Sequence, residues 1–288
     1  MTYPLHLISP NDVSTPDGGL YPFDLFQRRY LAQGDSWFSI GALPPTATSN
    51  LLMEMLLARD AVAVNCATPG ATLAHMTDRL GNPVFVKLLN QWKWDALLIS
   101  GAGNDLIDAA QVGPDQPAAL RLLATAAERP ADPQPQDCLS ATGWATYAGH
   151  IDQVLSEFLA LRAAGPNSAT PLVLHDYAFL TPRFAGAGAG FGPWLAPALQ
   201  AFAIPSALWK PVADLLLGQM GSMLRDLVTK YQDPAGSLHL VDSQTVPLDQ
   251  ADPASTGPSG DFVNEIHPAR SGYAKLAAAW APVLDALP

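Results

Sequence analysis

An α/β fold built on a parallel sheet is what this chain predicts, on three observations. Short apolar runs rich in β-branched residues alternate five times with stretches of helical period. The second, third and fourth of these runs are hydrophobic throughout, as strands covered on both faces are. No internal repeat divides the chain, and 288 residues are enough for one large domain with a substantial core. The expected architecture is a three-layer α/β/α sandwich around a five-stranded parallel sheet, with residues 1–288 forming a single domain.

Residues 1–28 read as an N-terminal extension, polar and with a Pro16-Asp17-Gly18-Gly19 turn. The first strand falls at about Arg29–Gln33. Thr48 or Ser49 is placed to cap a helix carrying Leu51, Leu52, Met55 and Leu56 on one face. Ala61–Cys66 is the second strand, followed by Thr68-Pro69-Gly70-Ala71-Thr72 and a helical region reaching Trp92. Asp95–Ser100 is the third strand and ends in Gly101-Ala102-Gly103-Asn104-Asp105. Ala118–Arg129 reads as helical, Pro130–Asp137 as a proline-rich loop, and Gly143–Ala164 as a long amphipathic helix. Pro171–Tyr177 is the fourth strand. The pattern then loosens over residues 180–211, a Gly/Pro-rich insertion. There Gly186, Gly188, Gly190 and Gly192 precede Pro193-Trp194, a composition that suits either a lid or a plain surface insertion. Val212–Tyr231 is helical, Ser237–Asp242 is the fifth strand, and Ala269–Leu287 is a closing helix.

Composition excludes several classes. Hydrophobic content of 49% against 14% charged residues is not that of a disordered chain. A net charge of −11 argues against nucleic acid and anionic membrane surfaces as partners, since both call for basic patches. No run of eighteen apolar residues calls for a membrane span, and the first residues lack the basic and apolar regions of a signal peptide, so the chain is expected to be cytoplasmic. Cys66 and Cys138 are expected as free thiols, Cys66 buried on a strand. There is no H-E-x-x-H, C-x-x-C, P-loop or G-x-G-x-x-G, and no metal or cofactor is expected.

The chemistry-bearing residues lie just after strands or just before the last helix. Tyr30–Phe38 delivers Gly34-Asp35-Ser36 at the end of the first strand; Gly70 follows the second, Asn104-Asp105 the third, and His267-Pro268 precedes the closing helix. In a parallel sheet every strand's C-terminal end emerges on one edge, so these four clusters converge, in the crevice where open α/β sheets keep their sites. Together they supply what acyl transfer needs. Ser36 is a nucleophile that requires a base, and His267 is the candidate base. The Ser36 and Gly70 backbone N–H groups and the Asn104 side-chain amide are candidate donors to an oxyanion.

These blocks, GDSW, ATPGAT, GND and HP in that order over roughly residues 30–285, resemble the SGNH (GDSL-type) hydrolase family. The resemblance implies a flavodoxin-like three-layer fold, with Ser36 as nucleophile, Gly70 and Asn104 completing the oxyanion hole, and His267 as general base. The G-x-S-x-G elbow of ordinary α/β-hydrolases is absent. Two departures stand out. Ala102 occupies the place of the glycine in the family's Gly-x-Asn-Asp block, a mild change if its φ is negative. Asn264 occupies the place of the aspartate in Asp-x-x-His. An asparagine there can orient an imidazole only by presenting its carbonyl to Nδ1–H, and it offers no charge to the imidazolium. Asn264 is preferred as the third catalytic residue, with a backbone carbonyl as another orienter of His267, Asp261 as the alternative carboxylate and Glu265 behind it.

The expected activity is that of a serine esterase acting through an acyl-enzyme on small-molecule esters of small to medium acyl or aryl groups. Acyl transfer, thioester hydrolysis, or ligand binding by a catalytically impaired homologue are the alternatives. His75, His150, His175 and His239 are expected to be packed or surface residues, Trp37 to be core or substrate contact, and Asp105 to hold its own loop. The oligomeric state is not legible.

Overall fold

The computed structural model describes residues 6–13, 25–39, 49–57, 59–78, 80–188 and 190–288. Six parallel strands make one sheet: β1 (Leu7–Ile8), β2 (Arg28–Gly34), β3 (Ala61–Asn65), β4 (Ala96–Ser100), β5 (Leu172–His175) and β6 (Leu238–Val241), in the order β1-β3-β2-β4-β5-β6. Nine α-helices are described: α1 (Ser36–Ser39), α2 (Leu51–Leu56), α3 (Leu73–Thr77), α4 (Pro83–Gln91), α5 (Gly103–Gln111), α6 (Ala141–Ala163), α7 (Leu195–Ala201), α8 (Trp209–Tyr231) and α9 (Arg270–Asp285). They flank the sheet, α2 packing with α9 and α3 with α6. Central β4 is buried at every residue and β3 at four of five, so apolar side chains are removed from water on both faces. That burial is why these strands carry no alternating pattern.

The strand order sets the site. From β2 the chain moves to β3 on one side, and from β4 to β5 on the other. Neighbouring β2 and β4 therefore send their following segments in opposite directions, which opens a crevice at their C-terminal ends. Tyr30 to Gly34 pair in register with Ala96 to Ser100, so Ser36 and Asn104 leave the sheet side by side.

Four sequence expectations need correction. The sheet has six strands, because Leu7–Ile8 in the expected extension pairs with Ala63 and Val64 of β3; a two-residue edge strand carries no periodicity to read. Residues 118–129 are not one helix but two short 3₁₀ turns, Ala118–Leu120 and Ala126–Glu128. Between them the chain is extended: Leu123 bridges Leu139, and the buried Arg121 guanidinium donates to the Leu123 and Gln116 carbonyls and to Glu128. Tertiary pairing overrides a helix-favouring composition there. The helix after residue 48 is capped by Asn50, whose Oδ1 accepts from Met53 N–H at 2.8 Å; Thr48 lies outside the described residues. Finally, the loose segment 180–211 contains α7 and the start of α8. Cys66 and Cys138 are both free and buried, and among the described residues no helix is long and apolar enough to cross a membrane.

Candidate active site

The turn that carries Ser36 is fixed from both sides. Gly34 is required by proximity: a Cβ there would lie 2.9 Å from Ser100 Cβ and 3.0 Å from the Ser100 carbonyl oxygen of the neighbouring strand. The Asp35 N–H donates to that carbonyl at 3.0 Å, and the Asp35 carbonyl accepts from Phe38 N–H and from Ser39 Oγ. The Asp35 carboxyl turns inward, accepting from Trp37 N–H at 2.9 Å and from the Tyr177 hydroxyl, and its Oδ1 meets Ser100 Oγ at 2.8 Å. Burial raises its pKa to about 6 against these hydrogen bonds.

Gly70 sits in a Thr68–Ala71 turn closed by Ala71 N–H to the Thr68 carbonyl at 3.1 Å. Pro69 precedes it and its φ is +77°, the pairing that a type II turn demands. This turn is stitched to the rest of the site twice. Thr68 N–H donates to the Gly34 carbonyl at 2.9 Å, and Asn104 Nδ2 donates to the Ala71 carbonyl at 3.0 Å. Asn104 thus gives one amide hydrogen to the turn and keeps a second. Asp105 holds the same junction by accepting from Leu73 N–H at 2.9 Å. Ala102, which begins α5, has φ +80° and is fully buried. The exchange for glycine is therefore not mild: an L-residue in the left-handed region costs roughly 1–2 kcal/mol.

His267 lies on the loop before α9, and Asn264 organises that loop. Asn264 Oδ1 accepts three N–H donors, from Ile266 at 3.1 Å, His267 at 2.9 Å and His267 Nδ1 at 3.0 Å. Two backbone donors at one atom identify it as the amide oxygen rather than NH₂. The Nδ1 hydrogen is thereby held, and the lone pair is left on Nε2, which is buried and has no hydrogen-bond partner among the described residues. With no opposing charge beside it, burial pushes the imidazole down to about 4. The other two carboxylates serve elsewhere. Asp261 binds Lys275 Nζ at 2.6 Å, Ser271 Oγ and Asp249 N–H. Glu265 accepts from the backbone N–H groups of Arg183, Trp194, Leu195 and Ala196.

That last set was not legible in the sequence. Through Glu265 the 180–211 segment is pinned to the histidine loop, Arg183 adds a bond to the Asn264 carbonyl at 2.7 Å, and the Trp194 ring stands edge-on to His267 at 5.3 Å. Trp37 ties the serine turn to the same loop by donating from Nε1 to the Ile266 carbonyl at 3.2 Å. Buried at 3% exposure, it belongs to the core as well as to the site. Ser36, Asn104 and Ile266 line one narrow cleft of about 40 Å³ with Leu106, Ile107 and Leu217. Gly70, on the adjoining turn, and His267, next to Ile266, stand outside the cleft lining, and Ser36 Oγ makes no hydrogen bond to His267 Nε2.

No family model and no curated protein sequence matches the chain. Solved structures do. A lipase from a goat rumen metagenome, Lip_vut3, superposes with a TM-score of 0.52 at 15% identity, over 88% of this chain and 96% of its own. A structure from Streptococcus pneumonia, provisionally named a platelet activating factor, gives 0.51 at 14% identity, over 91% and 86%. A third, from Parabacteroides merdae and provisionally named a GDSL-like lipase, gives 0.47 at 16%, over 90% and 96%. With a parallel sheet of this order and its crevice at the ends of β2 and β4, the chain shares the fold of the Lip_vut3 lipase and the streptococcal structure.

Proposed function

We propose that this protein is a serine esterase that cleaves carboxylic esters of small to medium acyl or aryl groups through an acyl-enzyme. Ser36 Oγ attacks the ester carbonyl while His267 Nε2 takes its proton. The oxyanion is met by the Ser36 and Gly70 backbone N–H groups and by the second hydrogen of the Asn104 amide. His267 returns the proton to the leaving alkoxide, then activates a water that releases the acid and restores Ser36. Asn264 holds the imidazole in the Nδ1–H tautomer, so the pair works as serine and histidine with a neutral orienter. The observation that carries this reading is the imidazole itself: Nδ1–H bound to Asn264 Oδ1 at 3.0 Å, and a bare, buried Nε2.

A chain-length series of p-nitrophenyl esters tests it. Hydrolysis is expected, best for short acyl chains and falling as the chain outgrows the narrow cleft lined by Ile107 and Leu217. Turnover no faster than buffer across the series would contradict the reading. Asn104→Ala is expected to lower kcat by about 10²–10³ with little change in KM, as loss of one oxyanion donor does.

Asn264 offers a finer test. Asn264→Ala frees the imidazole and leaves the Ile266 and His267 N–H groups without their acceptor, and a kcat loss of about 10–10³ is expected, below the ~10⁴ seen when a triad aspartate becomes asparagine on another fold. Asn264→Asp places a carboxylate at Nδ1, which favours the imidazolium. The acidic limb of kcat/KM is then expected to move up by about 1–3 pH units. An unmoved limb would mean that Asn264 does not face the catalytic imidazole.

A further inference from the structure

Beneath the Ser36 turn lies a buried polar chain that the proposed reaction does not use. Asp35 Oδ1 meets Ser100 Oγ at 2.8 Å, Ser100 Oγ meets His175 Nε2 at 2.9 Å, and His175 Nδ1 meets the Asp176 carbonyl at 2.8 Å. Asp35, Ser100 and His175 are all at most 2% exposed. The His175 ring is packed among Trp37, Phe38, Tyr177 and Trp280.

Counting hydrogens along this chain gives a definite answer. His175 Nδ1 also lies 3.4 Å from Ser243 Oγ, but the shorter contact is to a carbonyl, which only accepts, so Nδ1 carries a hydrogen. If the ring is neutral, Nε2 is an acceptor and takes the single hydrogen of the Ser100 hydroxyl. The 2.8 Å contact between Ser100 Oγ and Asp35 Oδ1 then has no hydrogen unless the carboxyl supplies one. If instead the ring is a cation, Nε2–H donates to Ser100 and Ser100 donates to a carboxylate. Either way the three groups hold one proton more than a carboxylate with a neutral imidazole. Burial decides where it sits. Desolvation drives the Asp35 carboxyl up, to about 6, and the His175 imidazole down, to about 4, so as pH falls the proton is taken at Asp35 before His175.

We propose that His175, by claiming the Ser100 hydroxyl, favours the protonated form of the Asp35 carboxyl, and so acts as a positioning residue for the nucleophile's turn. The surroundings agree. The charged group that acts on Asp35 is itself acidic, Asp105 of α5, and the other titratable neighbours are the Tyr177 hydroxyl and Tyr273 of α9. On the far side of His175, the Asp176 carboxylate is taken up by Ser243 and Gln244 N–H groups and by Arg225. A neutral Asp35 keeps negative charge out of the turn in which an oxyanion must form, one residue from Ser36. This functional consequence rests on Ser36 being the nucleophile; the proton count does not.

The test is carboxyl ¹³C NMR of the full chain labelled at aspartate, with Asp35 assigned by the resonance lost in Asp35→Asn. His175→Phe keeps the aromatic packing and removes the competing acceptor, so Ser100 is free to donate to the carboxylate. The Asp35 midpoint is expected to fall by about one pH unit or more. A His175→Phe midpoint equal to or above that of the unsubstituted protein would overturn the proposal. Should that variant not fold, ¹⁵N NMR of the histidine-labelled protein decides: hydrogen on Nδ1 and a bare Nε2 are expected, and hydrogen on Nε2 overturns it. In esterase assays the alkaline limb of kcat/KM should follow the Asp35 midpoint in His175→Phe. The NMR result stands whether or not the protein hydrolyses esters, so the two readings fail separately.

Discussion

Replacing Ser36 with alanine is expected to lower kcat for p-nitrophenyl ester hydrolysis by about 10⁶, the scale at which a serine nucleophile is lost in a well-studied protease of another fold. The size follows from the division of labour. Without Oγ no acyl-enzyme forms, and only the oxyanion donors and the cleft remain to assist water. KM is expected to change little, because the cleft walls at Leu106, Ile107 and Leu217 are untouched. Folding is expected to be preserved, since the turn is held by Gly34, the Asp35 carboxyl and the backbone rather than by the serine hydroxyl. A soluble Ser36→Ala protein with a normal unfolding transition and full activity would remove Ser36 from the mechanism.

His267→Ala is expected to be nearly as damaging, because nucleophile and base act as a unit and losing either forfeits most of what both provide. The pH profile adds a sign. The base must be neutral to accept a proton, and burial without a charged partner holds its pKa down at about 4. Activity limited by this group is therefore present above that value and lost as pH falls through it. The acidic limb of kcat/KM is expected near pH 4, well below that of an ordinary histidine base at about 6.5. Binding of substrate over Nε2 excludes further water and keeps the imidazole neutral until the proton is taken. A limb at pH 6.5 or above would mean that the imidazole is solvated or faces a carboxylate, contrary to its contact with Asn264.

Much of the fold was legible because its cause is local in the sequence. Buried strands such as Ala96–Ser100 are continuous apolar runs, and the long helices α6 and α8 show their buried faces as periodic apolar residues. That Ser36 and Asn104 line one cleft followed from parallel topology, since strand ends on one edge are neighbours whatever their spacing. What could not be read depends on partners distant in the chain. The extended backbone at Leu123 is set by Leu139 and by a buried arginine, and β1 is a strand only because β3 offers it an edge. The positive φ of Ala102 comes from the geometry of leaving β4 for α5. Glu265 looked like a spare carboxylate beside His267, yet four backbone N–H groups of the 180–211 segment consume it. Likewise His175 was read as one more packed histidine. Its contact with Ser100, 75 positions away, shows in no spacing, although Ser100 at a strand end beside an obligatory glycine was a place to look.

The central claim is that Ser36 is an activated nucleophile, and a serine-directed organophosphonate tests it most directly. The folded protein is treated with the probe, digested, and the peptide containing Ser36 is examined by mass spectrometry. Stoichiometric modification at Ser36 is expected, lost in the unfolded protein and reduced to background in His267→Ala. An unmodified Ser36 in the folded protein, or modification that persists without His267, would contradict the account.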